Sequence, residues 1–138
     1  MPESKKVPVA FEEISKRLKN TELPEVDAVI GIQTGGRIPA VLCAYQLGVP
    51  LYMLPIHFRD PENQPEHEVP VVFDDYKLPE DASKVLLVDD VSVTGKTFEK
   101  ALEVIASRYE SITTFVLKGK GDYVLFPEIK PCVRWPWL

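Results

Sequence analysis

The sequence is poor in the residues that build covalent or metal frameworks. Of 138 residues only two are cysteine, Cys43 and Cys132, and two are histidine, His57 and His67. Neither pair has metal-ligand spacing, so neither a disulfide scaffold nor a zinc site is suggested, and a reducing compartment suits both thiols. Long apolar runs are missing too. Nothing approaches the roughly 18 consecutive apolar residues needed to span a bilayer, and the start MPESKKVPVAF has no apolar core of the signal-peptide kind. The cytoplasm is the expected location, with no membrane partner. Positive charge is also short: 16 Lys and Arg stand against 21 Asp and Glu, for a net charge of −5. The basic residues are scattered, which argues against the basic face that a nucleic-acid backbone requires. An acidic protein can still hold a phosphate locally, with backbone N–H groups, one or two cations and a divalent metal.

What is present is enough apolar residue, 45% of the chain, to bury the core of one domain spanning 1–138. Phe11, Ile14 and Leu18 recur at helical spacing and predict an amphipathic helix from about Val9 to Lys19, ended by TELPE. VDAVIGI, Val26–Ile32, is a short β-branched run that predicts a buried strand, with Gly35-Gly36 directly after it. Ile38–Leu47 is apolar nearly all round and predicts a buried helix capped by Gly48. PLYMLPI predicts a second strand. From His57 to about 70 the chain is rich in proline and acid and predicts a long loop, of the sort that often serves as a lid. Lys84–Asp89 and Ile112–Leu117 predict two further strands, and Gly95–Tyr109 a helix with Phe98, Ala101, Leu102 and Ile105 on one face. Strands alternating with helices imply an α/β fold with a mostly parallel central sheet flanked by helices, whose ligands gather at the carboxyl ends of the strands. Both Gly-containing loops lie at such ends. The tail, 121–138, alternates aromatics with prolines and predicts a small cap of extended pieces and turns. Repeats and low-complexity stretches are absent.

The segment Val85–Thr97, VLLVDDVSVTGKT, carries the most chemistry. Four apolar residues deliver Asp89 and Asp90 to the end of a buried strand, and Thr94, Gly95, Lys96 and Thr97 follow at a helix start. Unpaired N–H groups and the dipole at a helix N-terminus favour a phosphate. Two nearby carboxylates can accept hydrogen bonds from ribose hydroxyls or hold magnesium. The bland alternative is an acidic pair that caps the helix before an ordinary turn. A Walker-type phosphate loop fails, because only Gly95 precedes Lys96 where that motif needs two glycines four residues apart. In IGIQTGGRIPA, Ile30–Ala40, glycines after a strand let amide groups turn toward a pyrophosphate, although a Gly-Gly alone is more often packing or a helix cap.

Across those thirteen residues the Asp89-Asp90 segment resembles the 5-phosphoribosyl 1-pyrophosphate (PRPP) signature of type I phosphoribosyltransferases, matching at both acids, Thr94-Gly95, Thr97 and the apolar strand. The resemblance implies a phosphoribosyltransferase fold with a C-terminal hood and a Mg²⁺ cofactor. It implies a ribose 5-phosphate loop of Val91, Ser92, Val93, Thr94, Gly95, Lys96 and Thr97, and catalytic, metal-holding roles for Asp89 and Asp90. Pyrophosphate would sit at Thr34, Gly35, Gly36 and Arg37, with Arg59, the single Arg or Lys of the lid, reaching over it. A solvated loop charge is the plain alternative for Arg59, as solvated loop histidines are for His57 and His67.

The tail is most similar to the xanthine-guanine and hypoxanthine-guanine branch, which places Lys118 against the purine 6-oxo group. Two base-side positions differ. That branch carries an aspartate before the Thr-Gly to exchange a proton with the purine, and Val93 cannot do so. Anchored on Pro136-Trp137, the stacking aromatic falls at Cys132 and the residue reading the base edge at Val133; Trp135 or Tyr123 could supply a ring or simply pack. The implied substrates are PRPP and a purine-like base, the implied assembly a dimer or tetramer. Val93 and Cys132 motivate two alternatives: a regulatory domain that senses PRPP or a nucleotide, and a ribose-phosphate enzyme with another nucleophile.

Overall fold

The computed structural model describes residues 6–33, 35–57, 71–72 and 76–137. Its main sheet contains β2 (Ala28–Gln33), β3 (Leu51–His57), β4 (Val71–Val72), β5 (Lys84–Ser92), β6 (Ser111–Gly119) and β7 (Tyr123–Val124). These lie in the order β4-β3-β2-β5-β6-β7, and every neighbouring pair is parallel except β3 with β4. The residues at the heart of β2 and β5 are buried without alternation, because helices cover both faces.

On one face lie α1 (Phe11–Lys19) and α2 (Arg37–Leu47). Ile14 and Leu18 of α1 and Ala40, Cys43 and Ala44 of α2 join Val29, Leu86, Val88, Phe115 and Leu117 of the strands in one core. Fully burying a side chain such as Ile14 or Leu18 contributes about 1.5–3 kcal/mol, enough to hold a helix this short in place. The opposite face is covered by α3 (Lys96–Ile105), whose Phe98, Ala101 and Ile105 meet Ile30, Leu54, Val85 and Leu87. β2 feeds α2 and then β3 on one side, while β5 feeds α3 and then β6 on the other. The adjacent pair β2 and β5 is therefore the place where the strand order reverses, the position in open α/β sheets beyond whose carboxyl strand ends ligands bind.

Three boundaries differ from expectation by more than two residues. β5 runs on through Ser92 because β6 continues beside it to Gly119, so Val91 and Ser92 are strand residues rather than loop. α3 stops at Ile105; Tyr109 is buried in the core and its hydroxyl donates to the Pro79 carbonyl at 2.7 Å. Tyr123 and Val124 form an edge strand of the main sheet, so the hood begins after them. That hood is tied down by a separate two-stranded sheet in which β1 (Val7–Pro8) pairs in parallel with β8 (Val133–Arg134). Among the described residues, no helix is long and apolar enough to cross a membrane.

Candidate functional site

The loops that follow β2 and β5 meet at the carboxyl ends of those strands. The first turns at Gly35-Gly36 before α2 begins with the exposed Arg37. A Cβ at Gly36 would lie 2.5 Å from the Val88 carbonyl oxygen and 2.7 Å from that of Ile32, so only glycine lets this turn sit on the strand ends. At Gly35 a Cβ would stand 2.6 Å from Oδ1 of Asp90. Backbone of one loop and carboxylate of the other are thus in contact.

β5 supplies that carboxylate. Asp89 is only 7% exposed, while Asp90 is half-buried beside it. The Asp90 amide donates to Oδ1 of Asp89 at 2.8 Å, and the Val91 amide donates to Oδ1 of Asp90 at 2.7 Å. Burial first, then the charge of Asp90, hold the Asp89 carboxyl well above the usual carboxylate range. A buried acid in that state gains most from an added cation or from hydroxyl donors.

Beyond Ser92 the chain turns through Val93 and Thr94, both exposed, to Gly95 at φ 82° and into α3 at Lys96. The Thr94 hydroxyl accepts from the Lys96 amide at 3.3 Å. The remaining amides of the first turn, including that of the half-buried Thr97, have no intrahelical acceptor and point their dipoles toward an incoming anion. Val93 is 69% exposed, an apolar side chain presented to solvent beside this turn.

On the far side, Lys118 is half-buried near the end of β6, paired in register with Val91. Tyr123 is half-buried on β7 opposite Phe115 and packs against the core. Cys132 is exposed, and its carbonyl accepts from the Val7 amide at 2.8 Å; Val133 is buried. Trp135 is 2% exposed, stacked on Trp137 with ring centroids 5.8 Å apart and tilted against Phe126 at 6.1 Å. Packing therefore accounts for the Trp135 ring. The structure brings together Gly35, Gly36, Asp89 and Asp90 and places Lys118 one strand away; Thr34, Arg59, His67 and the lid segment 58–70 lie outside the described residues.

Sequence reasoning missed Gly119, at φ 109°, whose backbone lies against that of Ser92. The signal for it was the KGKG run, Lys118–Gly121, which places a glycine directly after Lys118.

Two carboxylates at a strand end are a donor set suited to Mg²⁺, which keeps much of its coordination for water and substrate phosphates. Among the described residues, no group of three or more His, Cys, Asp or Glu converges on one point.

Residues 5–135 match the model of the phosphoribosyl transferase domain. An orotate phosphoribosyltransferase from Aeropyrum pernix is 30% identical over 102 residues, covering 73% of this chain and 50% of that protein. The chain thus spans about half the length of the curated relative it matches. A purine phosphoribosyltransferase structure from Pyrococcus horikoshii has a TM-score of 0.73 at 26% identity, covering 96% of this chain and 94% of that one. The Helicobacter pylori xanthine-guanine-hypoxanthine phosphoribosyltransferase has a TM-score of 0.72 at 14% identity, covering 95% and 92%, a likeness of fold alone. A family model matched over nearly the whole sequence, joined to two loops that meet where the strand order reverses, identifies the chain as a member of the phosphoribosyl transferase domain family.

Proposed function

We propose that this protein transfers the 5-phosphoribosyl group from PRPP to a purine-like base, releasing pyrophosphate. The observation that carries this is the contact of Gly35 with the Asp90 carboxylate, which sets a turn able to hold pyrophosphate against a carboxylate pair able to hold ribose. The similarity to the Pyrococcus horikoshii purine enzyme supports a purine, while that to the Aeropyrum pernix orotate enzyme supports the transfer more generally.

In this mechanism the bond from the anomeric carbon to pyrophosphate breaks with its electron pair leaving on pyrophosphate oxygen. A base nitrogen forms the new bond from the opposite face, and its proton passes to solvent. Amides around Thr97 hold the 5-phosphate. Asp89 and Asp90 accept from the ribose hydroxyls and face the positive charge that develops on the ring. Gly35, Gly36 and Arg37 face the leaving group, with Thr34 and Arg59 assigned there by resemblance, and Lys118 orients the base. Asp89 and Asp90 are the residues that would hold Mg²⁺, which would supply charge neutralisation for the departing pyrophosphate.

The test is to supply PRPP, Mg²⁺ and a panel of purines and pyrimidines and to follow pyrophosphate. Release with a purine supports the proposal; no release with any base sinks it. Val93 favours a second function, a domain that binds PRPP or a nucleotide and regulates a partner, because an exposed valine stands where proton exchange with a 6-oxopurine would need an acid. Calorimetry separates the two, since the regulator binds ligand tightly without turnover.

A further inference from the structure

Ser92 and Gly119 stand opposite one another where β5 and β6 reach their carboxyl ends. Ser92 leads into the turn assigned above to the sugar phosphate, and Gly119 follows Lys118, assigned to the base. A Cβ on Gly119 would overlap the Ser92 carbonyl oxygen and stand 2.7 Å from its carbonyl carbon and 2.9 Å from its nitrogen. These are backbone atoms, which cannot swing aside as a side chain can. Gly119 also has φ 109°, a conformation that L side chains rarely adopt. The next residue fastens the joint: the Lys120 amide donates to the Ser92 carbonyl at 2.8 Å. The chain then folds back along β6, where the Asp122 amide donates to Oγ1 of Thr114 at 2.9 Å. The Thr114 amide and hydroxyl donate to the Asp122 carboxylate at 2.9 and 3.2 Å. Segment 119–122 is therefore pinned at one end on β5 and at the other on β6.

We infer that Gly119 is a positioning residue that sets the span between the phosphate turn and Lys118, a role that rests on the transfer reaction proposed above. The strand carrying the base ligand can approach the strand carrying the phosphate turn this closely only because nothing projects from position 119. A nucleoside monophosphate has a nearly fixed distance from phosphate to base, and productive attack requires both ends in register. Widening the joint leaves each half-site whole and misaligns the two. A ligand that touches one half is indifferent to the change; a ligand that bridges both is not.

The experiment compares wild-type protein with Gly119→Ala and Lys120→Pro by calorimetry, using ribose 5-phosphate as the one-sided ligand and GMP, IMP and AMP as bridging ligands. Circular dichroism and a thermal melt establish that each variant is folded. The expected result is a nucleotide affinity reduced about tenfold or more, with ribose 5-phosphate changed less than about twofold. Equal losses for both ligand types, or no loss, overturn the inference. If Gly119→Ala fails to fold, Lys120→Pro carries the same comparison, because it adds no atom at position 119; failure of both to fold overturns positioning in favour of a purely structural role. Wild-type protein that binds ribose 5-phosphate and none of the three nucleotides overturns this inference alone, whereas wild-type protein that binds neither PRPP nor ribose 5-phosphate removes the proposed function itself.

Discussion

The carboxylate of Asp90 rests against the backbone of Gly35: a Cβ there would stand 2.6 Å from Oδ1 and 2.9 Å from Cγ. Gly35→Ala therefore forces the acid to rotate away, since a short side chain yields more readily than two strand ends. The fold should survive with a nearly unchanged melting temperature. Displacing a catalytic group by about 1 Å can cost on the order of 10²-fold in rate, so pyrophosphate release from PRPP should fall by about that factor. A variant with wild-type turnover would show that this contact does not matter.

Asp89 gives a pH signature. Burial and the neighbouring acid raise its carboxyl well above the usual range, so the folded chain keeps a proton that the unfolded chain releases near pH 4. The contribution of Asp89 to stability is then fully present below about pH 4 and is lost as pH rises through the folded value. Asp89→Asn removes that decline: the ligand-free variant should melt a few degrees above wild type at pH 8 and almost with it at pH 4. Its transfer activity should be lower by about 10²–10³-fold. Parallel melting profiles across this range would contradict the burial assigned to Asp89.

The thiols should differ sharply in reactivity. Cys43 is 0% exposed, and burial pushes its thiol up to about 12, whereas Cys132 is exposed. Native protein at pH 8 should therefore label at one thiol with Ellman's reagent, and at two only after denaturation. Two fast thiols in the native state would place Cys43 outside the core.

Arg17 links the first helix to the hood. Its guanidinium donates to Glu128 at 2.9 and 2.5 Å, to the Leu125 carbonyl at 3.1 Å and to Glu13 at 3.1 Å, and lies 4.2 Å over the Phe126 ring. Arg17→Ala should destabilise by about 1–2 kcal/mol, read by denaturant titration, because the cluster is partly exposed and screened. The hydrogen bond from Arg17 holds the Glu128 carboxyl below its usual value, so this contribution is present above about pH 4.3 and fades as pH falls. Equal stability of variant and wild type at pH 7 would show that the Arg17 contacts do not hold the hood.

The central strands, the helices on both faces and the two glycine turns were legible because each has a local cause: continuous apolar runs, helical periodicity, or turn residues at a strand end. The resemblance to the PRPP signature places Val91 and Ser92 in the phosphate loop, and only their pairing with Lys118 and Gly119 makes them strand. The two-residue strands β1, β7 and β8 carry no period to detect, and their partners are set by the whole fold. Trp135 posed a similar problem. An aromatic among prolines does not announce which way it faces, and its stack on Trp137 depends on where the tail docks. Gly119 escaped because its constraint comes from Ser92, far away in sequence, rather than from its neighbours.

The pairing of β1 with β8 sets an order of events in biosynthesis. Val7 leaves the ribosome long before Val133, its partner, is made. The β2–β5 pair can assemble from intervening segments, but the ladder that fastens the hood must wait until Val133 and Arg134 are made, and closing so long a loop is entropically costly. A nascent chain stalled after β6 would thus hold the strands of the sugar-phosphate side without the fastening of its cap, and its first strand would remain an open edge in search of a partner.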